Sequence, residues 1–342
     1  MDSNKTLVTG GAGYIGAHTV VELINSGYHP VIVDNLSRSD RTLLDGIEKI
    51  TGEKVPFYQG DCCDEKFMTK VFESAGPFSS VLHFAAYKSV GESEAKPLIY
   101  YQNNLNSLTT LLQTMLENKV YNLIFSSSCT VYGQPDQIPV DENAPFKRAE
   151  SAYGATKQMC EQILEDTSRS GLRIVSLRYF NPIGAHPSAL IGEIPLGPPD
   201  NLVPYITQTA AGVREKLTVF GDDYDTPDGS CVRDFIHVLD VGSAHVKAME
   251  YLSSRTENTL YEAFNLGTGV GVSVLELIKK FMAVTNVKLP YVIGRRRPGD
   301  IVKVFADPAK INNTLNWSTK FSIEESLLHA WQWEKRIRHL NS

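Results

Sequence analysis

The sequence predicts an α/β fold, a doubly wound parallel sheet followed by a smaller C-terminal α/β domain. Three observations carry this expectation. Short apolar strands alternate with helical stretches through the first 180 residues, a pattern that implies right-handed crossovers and a doubly wound sheet. Those strands are apolar almost throughout rather than alternating, as in strands buried on both faces. A glycine-rich turn, Gly10-Gly11-Ala12-Gly13-Tyr14-Ile15-Gly16, joins the first strand to the first helix. A chain of 342 residues, at about 150 residues per domain, accommodates two units.

Residues 5–9 read as the first strand and 13–26 as the first helix. Strand 30–34 and a helix near 41–51 follow. Residues 55–59 make a weaker third strand, and Pro56 marks it as an edge because proline gives up a ladder donor. A helix at 64–74, a strand at 80–84, a long helix over about 97–118, a strand at 122–126, a helix at 151–170 and a strand at 173–178 continue the alternation. Beyond about residue 180 the cadence breaks, and 181–230 is rich in proline and glycine. Residues 260–266 read as another buried strand and 274–284 as a helix. The chain is accordingly divided at 1–180 and 181–342, with 232–262 a candidate to cross back onto the first sheet.

Composition narrows the function classes. Hydrophobic residues make up 42% and charged residues 21%, an ordinary globular balance. No apolar run approaches the ~18 residues of a membrane helix. The first residues, 1–5, lack a cationic segment followed by an apolar one, so a cytoplasmic protein is expected. A net charge of −6 argues against a broad nucleic-acid surface, while leaving room for a local basic pocket for a phosphorylated small molecule. The five cysteines, Cys62, Cys63, Cys129, Cys160 and Cys231, are odd in number and form no C-x-x-C pair. Neither a disulfide framework nor a metal site is expected.

Gly10, Gly13 and Gly16 permit a tight turn, close backbone approach to a pyrophosphate and tight helix packing, with the helix N-terminus facing the anion. Asp34 ends the second strand, 24 residues after Gly10. A carboxylate there binds the ribose hydroxyls and repels a 2′-phosphate, so a Rossmann-type site for NAD rather than NADP is expected. Asp61 follows the third strand, either as an adenine contact or as a plain turn residue.

Tyr153 and Lys157 stand four residues apart on one helix face. Tyrosine ionises near pH 10, and lowering that by three units takes about 4 kcal/mol. A close ammonium and an oxidised nicotinamide would supply much of it. A bare Y-x-x-x-K is common on helix surfaces, but Ser126-Ser127-Ser128 ends the fifth strand at the same sheet edge. A hydroxyl from this run can pass a substrate proton to Tyr153.

These motifs, together with His83-Phe84-Ala85-Ala86-Tyr87-Lys88, Val90-Gly91-Glu92-Ser93, Val131-Tyr132-Gly133, Arg178-Tyr179-Phe180-Asn181-Pro182, Asn201-Leu202, the segment 232–238 and Arg297-Pro298-Gly299-Asp300, carry a resemblance to a known family. From Leu7 to about Trp317 the chain resembles the extended short-chain dehydrogenase/reductases, and among them the UDP-galactose 4-epimerases. The resemblance implies that Tyr14 and Ile15 contact the pyrophosphate, and that Asp34, Asn35, Leu36, Ser37, Arg38 and Ser39 surround the adenosine. It implies that Asp61 and Cys62 bracket the adenine, that Phe84, Ala85, Ala86, Lys88, Asn103 and Ser126 line the cofactor, and that Phe180 faces the nicotinamide. Ser128, Tyr153 and Lys157 become the catalytic hydroxyl, base and activator. For the UDP-sugar it implies Lys88, Tyr179, Asn181, Arg233 and Arg297 around the diphosphate and sugar. Asn201, Leu202, Thr218, Val219 and Phe220 would face the uridine, and Asp300 its ribose. Phe180 and Phe220 serve equally as core residues, and Arg233-Asp234 as a local ion pair.

The implied activity is reversible inversion at C4 of a UDP-hexose, with NAD tightly bound and recycled. Val304, four residues after Asp300, would border the sugar's C2 substituent. As a small residue it would admit the N-acetylated pair, UDP-GlcNAc and UDP-GalNAc; as a strand valine it would face away. The resemblance also implies a homodimer through the helices at 97–118 and 151–170, with Leu105, Leu108, Leu111, Leu112, Met159, Cys160 and Ile163 as candidates. The same residues would equally pack each helix on its own sheet. Related chemistries compete. A 4,6-dehydratase or UDP-glucuronate decarboxylase needs an acid just after the serine run, where Cys129-Thr130 stands. A UDP-glucuronate epimerase shares the fold, and a non-catalytic NAD sensor would have no need of Tyr153 and Lys157.

Overall fold

The computed structural model describes residues 4–297 and 300–340. The elements run β1 (Lys5–Thr9), α1 (Tyr14–Asn25), β2 (His29–Asp34), α2 (Thr42–Thr51), β3 (Phe57–Gln59), α3 (Glu65–Ala75), β4 (Ser80–His83), α4 (Val90–Ala95), α5 (Pro97–Glu117), β5 (Asn122–Ser128), α6 (Ala152–Ser168) and β6 (Arg173–Tyr179). Then come β7 (Asn181–Ile183), α7 (Leu202–Ala210), β8 (Leu217–Phe220), β9 (Val232–Arg233), β10 (Phe235–His237), α8 (Val238–Ser253), β11 (Leu260–Leu266), β12 (Val272–Ser273), α9 (Val274–Thr285), β13 (Tyr291–Gly294), β14 (Lys303–Val304), α10 (Ala309–Leu315) and α11 (Ile323–Ile337).

Seven parallel strands form the main sheet in the order β11-β6-β5-β4-β1-β2-β3. The order reverses at β1/β4, and a doubly wound sheet binds ligands in the crevice at that reversal. β3 is the edge strand that Pro56 announced, three residues long. The chain returns to the main sheet after residue 237: α8 packs beside α1, and β11 pairs with β6 along Leu260–Leu266. Residues beyond 180 therefore supply both the outer strand of the first sheet and the smaller β10-β7, β12-β9-β14 and β13-β8 sheets.

Two apolar clusters cover the two faces of the main sheet. One joins Val8, Ile32, Leu82, Ile124 and Val175 to α1 and α8; the other joins Leu7, Val31, Val81, Leu123 and Ile174 to α3, α5 and α6. This period-2 partition of continuously apolar strands is the both-faces burial read from the sequence. Leu108, Leu111, Leu112 and Cys160 belong to the second cluster and are buried against their own sheet. Met159 is exposed, and Leu105 and Ile163 are half-buried. No helix among the described residues is long and apolar enough to cross a membrane.

Helix starts follow local chemistry. Asp64, Ser89, Ser151, Ser273 and Ser322 each accept a backbone N–H with the side chain at the N-cap, the commonest way to satisfy a first-turn donor. α1 differs: its N-cap is Gly13, in extended conformation and with no side-chain cap.

Candidate active site

A cleft of about 280 Å³ lies along the carboxyl ends of the parallel strands, lined by residues from Gly10 to Asn201. Its floor is the glycine turn. Gly10 has φ +70, and a Cβ there would sit 2.7 Å from Ala85 N. A Cβ on Gly16 would sit 2.3 Å from Gly10 O. Both positions therefore require glycine, and the missing side chains leave the backbone open to the cleft. With no side chain capping α1, its first-turn amides and positive dipole end remain available to an anion.

Asp34 is held rigidly at the cleft's far end. Its Oδ1 accepts from Leu36 N at 2.9 Å and Ser39 Oγ at 2.8 Å, and its Oδ2 accepts from Ala12 N at 3.2 Å. Asp61 accepts from Asn35 Nδ2 and Cys63 N, so it closes the turn after β3 while also lining the cleft. Gly13, Tyr14, Ile15, Ser37, Arg38, Cys62, Phe84, Ala86, Lys88, Asn103, Ser126, Tyr153, Lys157 and Tyr179 line the same cleft. Leu36 offers Asp34 its backbone rather than lining the cleft, and Phe180 lies in a neighbouring buried cluster. The open glycine turn, the uncapped helix end and the fixed carboxylate fit a dinucleotide with an unphosphorylated ribose.

The catalytic candidates meet at the cleft's inner end. Lys157 Nζ donates to Ser126 O at 2.5 Å, lies 4.6 Å from the Phe125 ring centre and 5.9 Å from that of Tyr153. Burial pulls the Lys157 ammonium down to about 8, while Cys160 and Glu161 push it back up. Burial likewise drives the Tyr153 phenol above its ordinary range, with a Ser128 hydrogen bond opposing. In the protein pocket alone desolvation dominates, and the phenolate expected from the motif calls for the positive charge of an oxidised nicotinamide as well as the lysine.

A second group of residues gathers around Asp300. Arg233 and Arg297 converge on Asp300: Arg297 Nη2 donates to Asp300 Oδ1 at 2.6 Å, and Arg233 Nη2 lies 3.9 Å from it. Arg297 also lies 5.6 Å from the centre of the Phe220 ring, which is 44% exposed. Phe220 is therefore no core residue, whereas Val219 and Leu202 pack into the core beneath it. Asp234 does not pair with Arg233; it accepts backbone N–H bonds from Thr268, Gly269 and Ala306. Thr218 pairs with Val292 across β8 and β13. Val304 pairs with Arg233 and is buried in one cluster with Phe180, Val131 and Tyr132, with Cys129 packed against it. Asn181 Oδ1 and Thr130 Oγ1 are buried without a partner among the described residues. Pro298 and Gly299 lie outside the described residues.

The motif reading missed one wall. Residues 193–201 close over the cleft. Glu193 accepts from Lys88 Nζ at 2.9 Å and Asn201 Nδ2 at 2.8 Å, and its carbonyl accepts from Trp333 Nε1. The segment has no period, so its only sequence signal was a proline- and glycine-rich irregularity. Tyr87, within the expected Phe84–Lys88 stretch, also lines the cleft, as does Tyr100, which was not expected to.

Comparisons with known proteins agree with this geometry. The UDP-glucose 4-epimerase of Bacillus subtilis (strain 168) is 49% identical over 330 residues, covering 96% of each chain. The crystal structure of UDP-glucose-4-epimerase from Stenotrophomonas maltophila, with bound NAD and formylated UDP-arabinopyranose, superposes with a TM-score of 0.94 at 46% identity. It covers 98% of this chain and 99% of that one. The Bifidobacterium longum UDP-glucose 4-epimerase in complex with NAD+ and UDP gives a TM-score of 0.93 at 43% identity, covering 98% and 100%. The model of the NAD dependent epimerase/dehydratase family matches residues 6–267, and the chain belongs to that family.

Proposed function

We propose that the protein is an NAD-dependent UDP-hexose 4-epimerase, an isomerase that interconverts UDP-galactose and UDP-glucose. The observation that carries this reading is the meeting of Ser126, Tyr153 and Lys157 in the dinucleotide cleft, with Ser128 hydrogen-bonded to Tyr153 and with Arg233 and Arg297 gathered on Asp300. NAD held in this cleft would supply the acceptor and donor of the C4 hydride, and its oxidised ring a positive charge beside Tyr153.

The chain's own residues do the rest. Tyr153 Oη receives the C4 hydroxyl proton, directly or through Ser128 Oγ, and gives it back on the return. Lys157, anchored on Ser126 O, pairs with the phenolate and offsets the desolvation of both groups. Gly10, Gly13, Gly16, Tyr14 and Ile15 hold the pyrophosphate, and Asp34 the ribose. Asn181, Arg233 and Arg297 hold the UDP diphosphate, and Asn201, Phe220 and Asp300 its nucleoside. Tight anchoring of the nucleotide leaves the hexose free to turn while keeping C4 in place. Cys129 and Thr130 follow Ser128, and neither supplies the acid that a dehydratase or decarboxylase needs.

Three finer readings accompany it. The first 180 residues with β11 and α8 form the cofactor unit, and the remainder the UDP-sugar unit. Val304, a small residue paired with Arg233 and clustered with Phe180, leaves space for an acetamido group on the sugar. Leu98, 72% exposed, Leu105, Met159 and Ile163 pair two copies into a cytoplasmic homodimer. Sedimentation giving a monomer at micromolar concentration would remove the last. Conversion of UDP-galactose to UDP-glucose by the purified protein, with no NAD added, tests the principal reading. An absolute requirement for stoichiometric added cofactor would count against it.

A further inference from the structure

Helix α6 carries more than Tyr153 and Lys157 on its inner face. Glu161, one turn further on, is 2% exposed and accepts five hydrogen bonds. Arg178 supplies three, from Nε at 3.0 and 3.2 Å and from Nη2 at 2.6 Å. Ser127 Oγ donates at 2.5 Å and Tyr261 Oη at 2.9 Å. These donors sit on three adjacent strands, β5, β6 and β11, and Ser127 and Arg178 are register partners. Arg178 is itself buried and donates to Tyr132 Oη at 2.8 Å, which fixes the turn just after Ser128. One carboxylate therefore ties the catalytic helix to the strand end that carries Ser126 and Ser128.

We propose that Glu161, clamped by Arg178, Ser127 and Tyr261, is a positioning residue for the C4 proton transfer. It sets the axial register of α6 against β5, so that Tyr153 meets Ser128 and Lys157 reaches Ser126 O. This role rests on the epimerase reading. A buried ion pair is a weak source of stability, since well-packed apolar residues often replace one without loss. Placement is a different matter: about 1 Å of misplacement costs on the order of 10²-fold in rate. The same carboxylate also lies one turn from the Lys157 ammonium and favours its charged form. The other groups around Lys157 are Tyr153 and Cys160 on α6, His83 on β4, and the Phe125 ring and Ser126 carbonyl on β5.

The test compares native protein with Glu161→Gln, Tyr261→Phe and the apolar pair Glu161→Leu/Arg178→Met, measuring thermal unfolding, UDP affinity and epimerisation against pH. Glu161→Gln is expected to lower kcat by about 10²-fold, leave UDP affinity within about 3-fold, and move the alkaline limb of kcat to lower pH. Tyr261→Phe, which keeps the ion pair, lowers kcat by about 3-fold. The apolar pair recovers the unfolding temperature but not kcat. Native kcat in the apolar pair, or an unmoved alkaline limb in Glu161→Gln, would overturn the positioning role. An inactive native protein would instead overturn the epimerase reading and this role with it.

Discussion

Acid should unfold this protein earlier than its carboxylates alone would dictate, because four histidines are buried in neutral form. Burial holds His18, His83 and His237 down to about 3 and His245 to about 4, against an ordinary value of 6.5. Their hydrogen bonds explain why they resist a second proton. His18 Nδ1 donates to Tyr14 O, and its Nε2 is buried without an acceptor among the described residues. His245 Nδ1 donates to Val241 O, so Nε2 must accept from Tyr179 Oη at 2.6 Å. The unfolded chain takes up these protons below pH 6.5 and the folded one does not, so the stability they permit is complete above 6.5 and is lost as pH falls toward 4. Each histidine costs about 2 kcal/mol at pH 5, and the four together about 8. Buried Asp234 and Asp240 and half-buried Glu22, whose acidities burial weakens, titrate in the opposite sense and offset part of this. A net loss of up to about 8 kcal/mol is expected between pH 7 and 5, a large share of a typical 5–15 kcal/mol. Urea titrations followed by tryptophan fluorescence at fixed saturating NAD measure it. His18→Leu should reduce the loss by about 2 kcal/mol. A native unfolding midpoint that stays constant from pH 7 to 5 would refute the reasoning.

Tyr153→Phe should lose ~10²–10⁴-fold in kcat while still binding UDP, checked by initial rates and calorimetry; near-normal turnover would dismiss Tyr153 as the base. Gly16→Ala should purify with little nucleotide, because the new methyl would meet Gly10 O at 2.3 Å; acid extraction and chromatography read this directly. The same extraction from native protein should release NAD rather than NADP, given the fixed carboxylate of Asp34. Native protein should turn over UDP-GalNAc as well as UDP-galactose, and Val304→Tyr should lose the first while keeping the second.

The main sheet was legible because its strands announce themselves by continuous apolarity and its helices by caps and period. Leu260–Leu266 was readable as a strand, but its place beside β6 was not, since long-range pairing leaves no local mark. The short helix α4 escaped notice because Ser89 starts it and Pro97 follows so closely that it merges with α5. At the site, the glycine turn, Asp34, the serine run 126–128, Tyr153 and Lys157 were read from spacing and element ends, and the family resemblance singled out Ser128 within the run. Glu193 was not, because a carboxylate in an aperiodic loop has no pattern, and its partners Lys88 and Asn201 are 105 and 8 residues away. Glu161 was hidden differently: it continues the Tyr153/Lys157 face, yet only the structure supplies the strand donors that single it out. The burial that raises the Tyr153 phenol was not legible either, because a sequence motif shows a neighbouring charge and not the desolvation beside it.

UDP-galactose bearing deuterium at C4, incubated in ordinary water with purified protein and no added NAD, tests the central claim most directly. Transfer of hydrogen from C4 and back within one closed site predicts UDP-glucose with the deuterium retained at C4. Product that has exchanged its C4 hydrogen with water, or no product at all, would contradict the account.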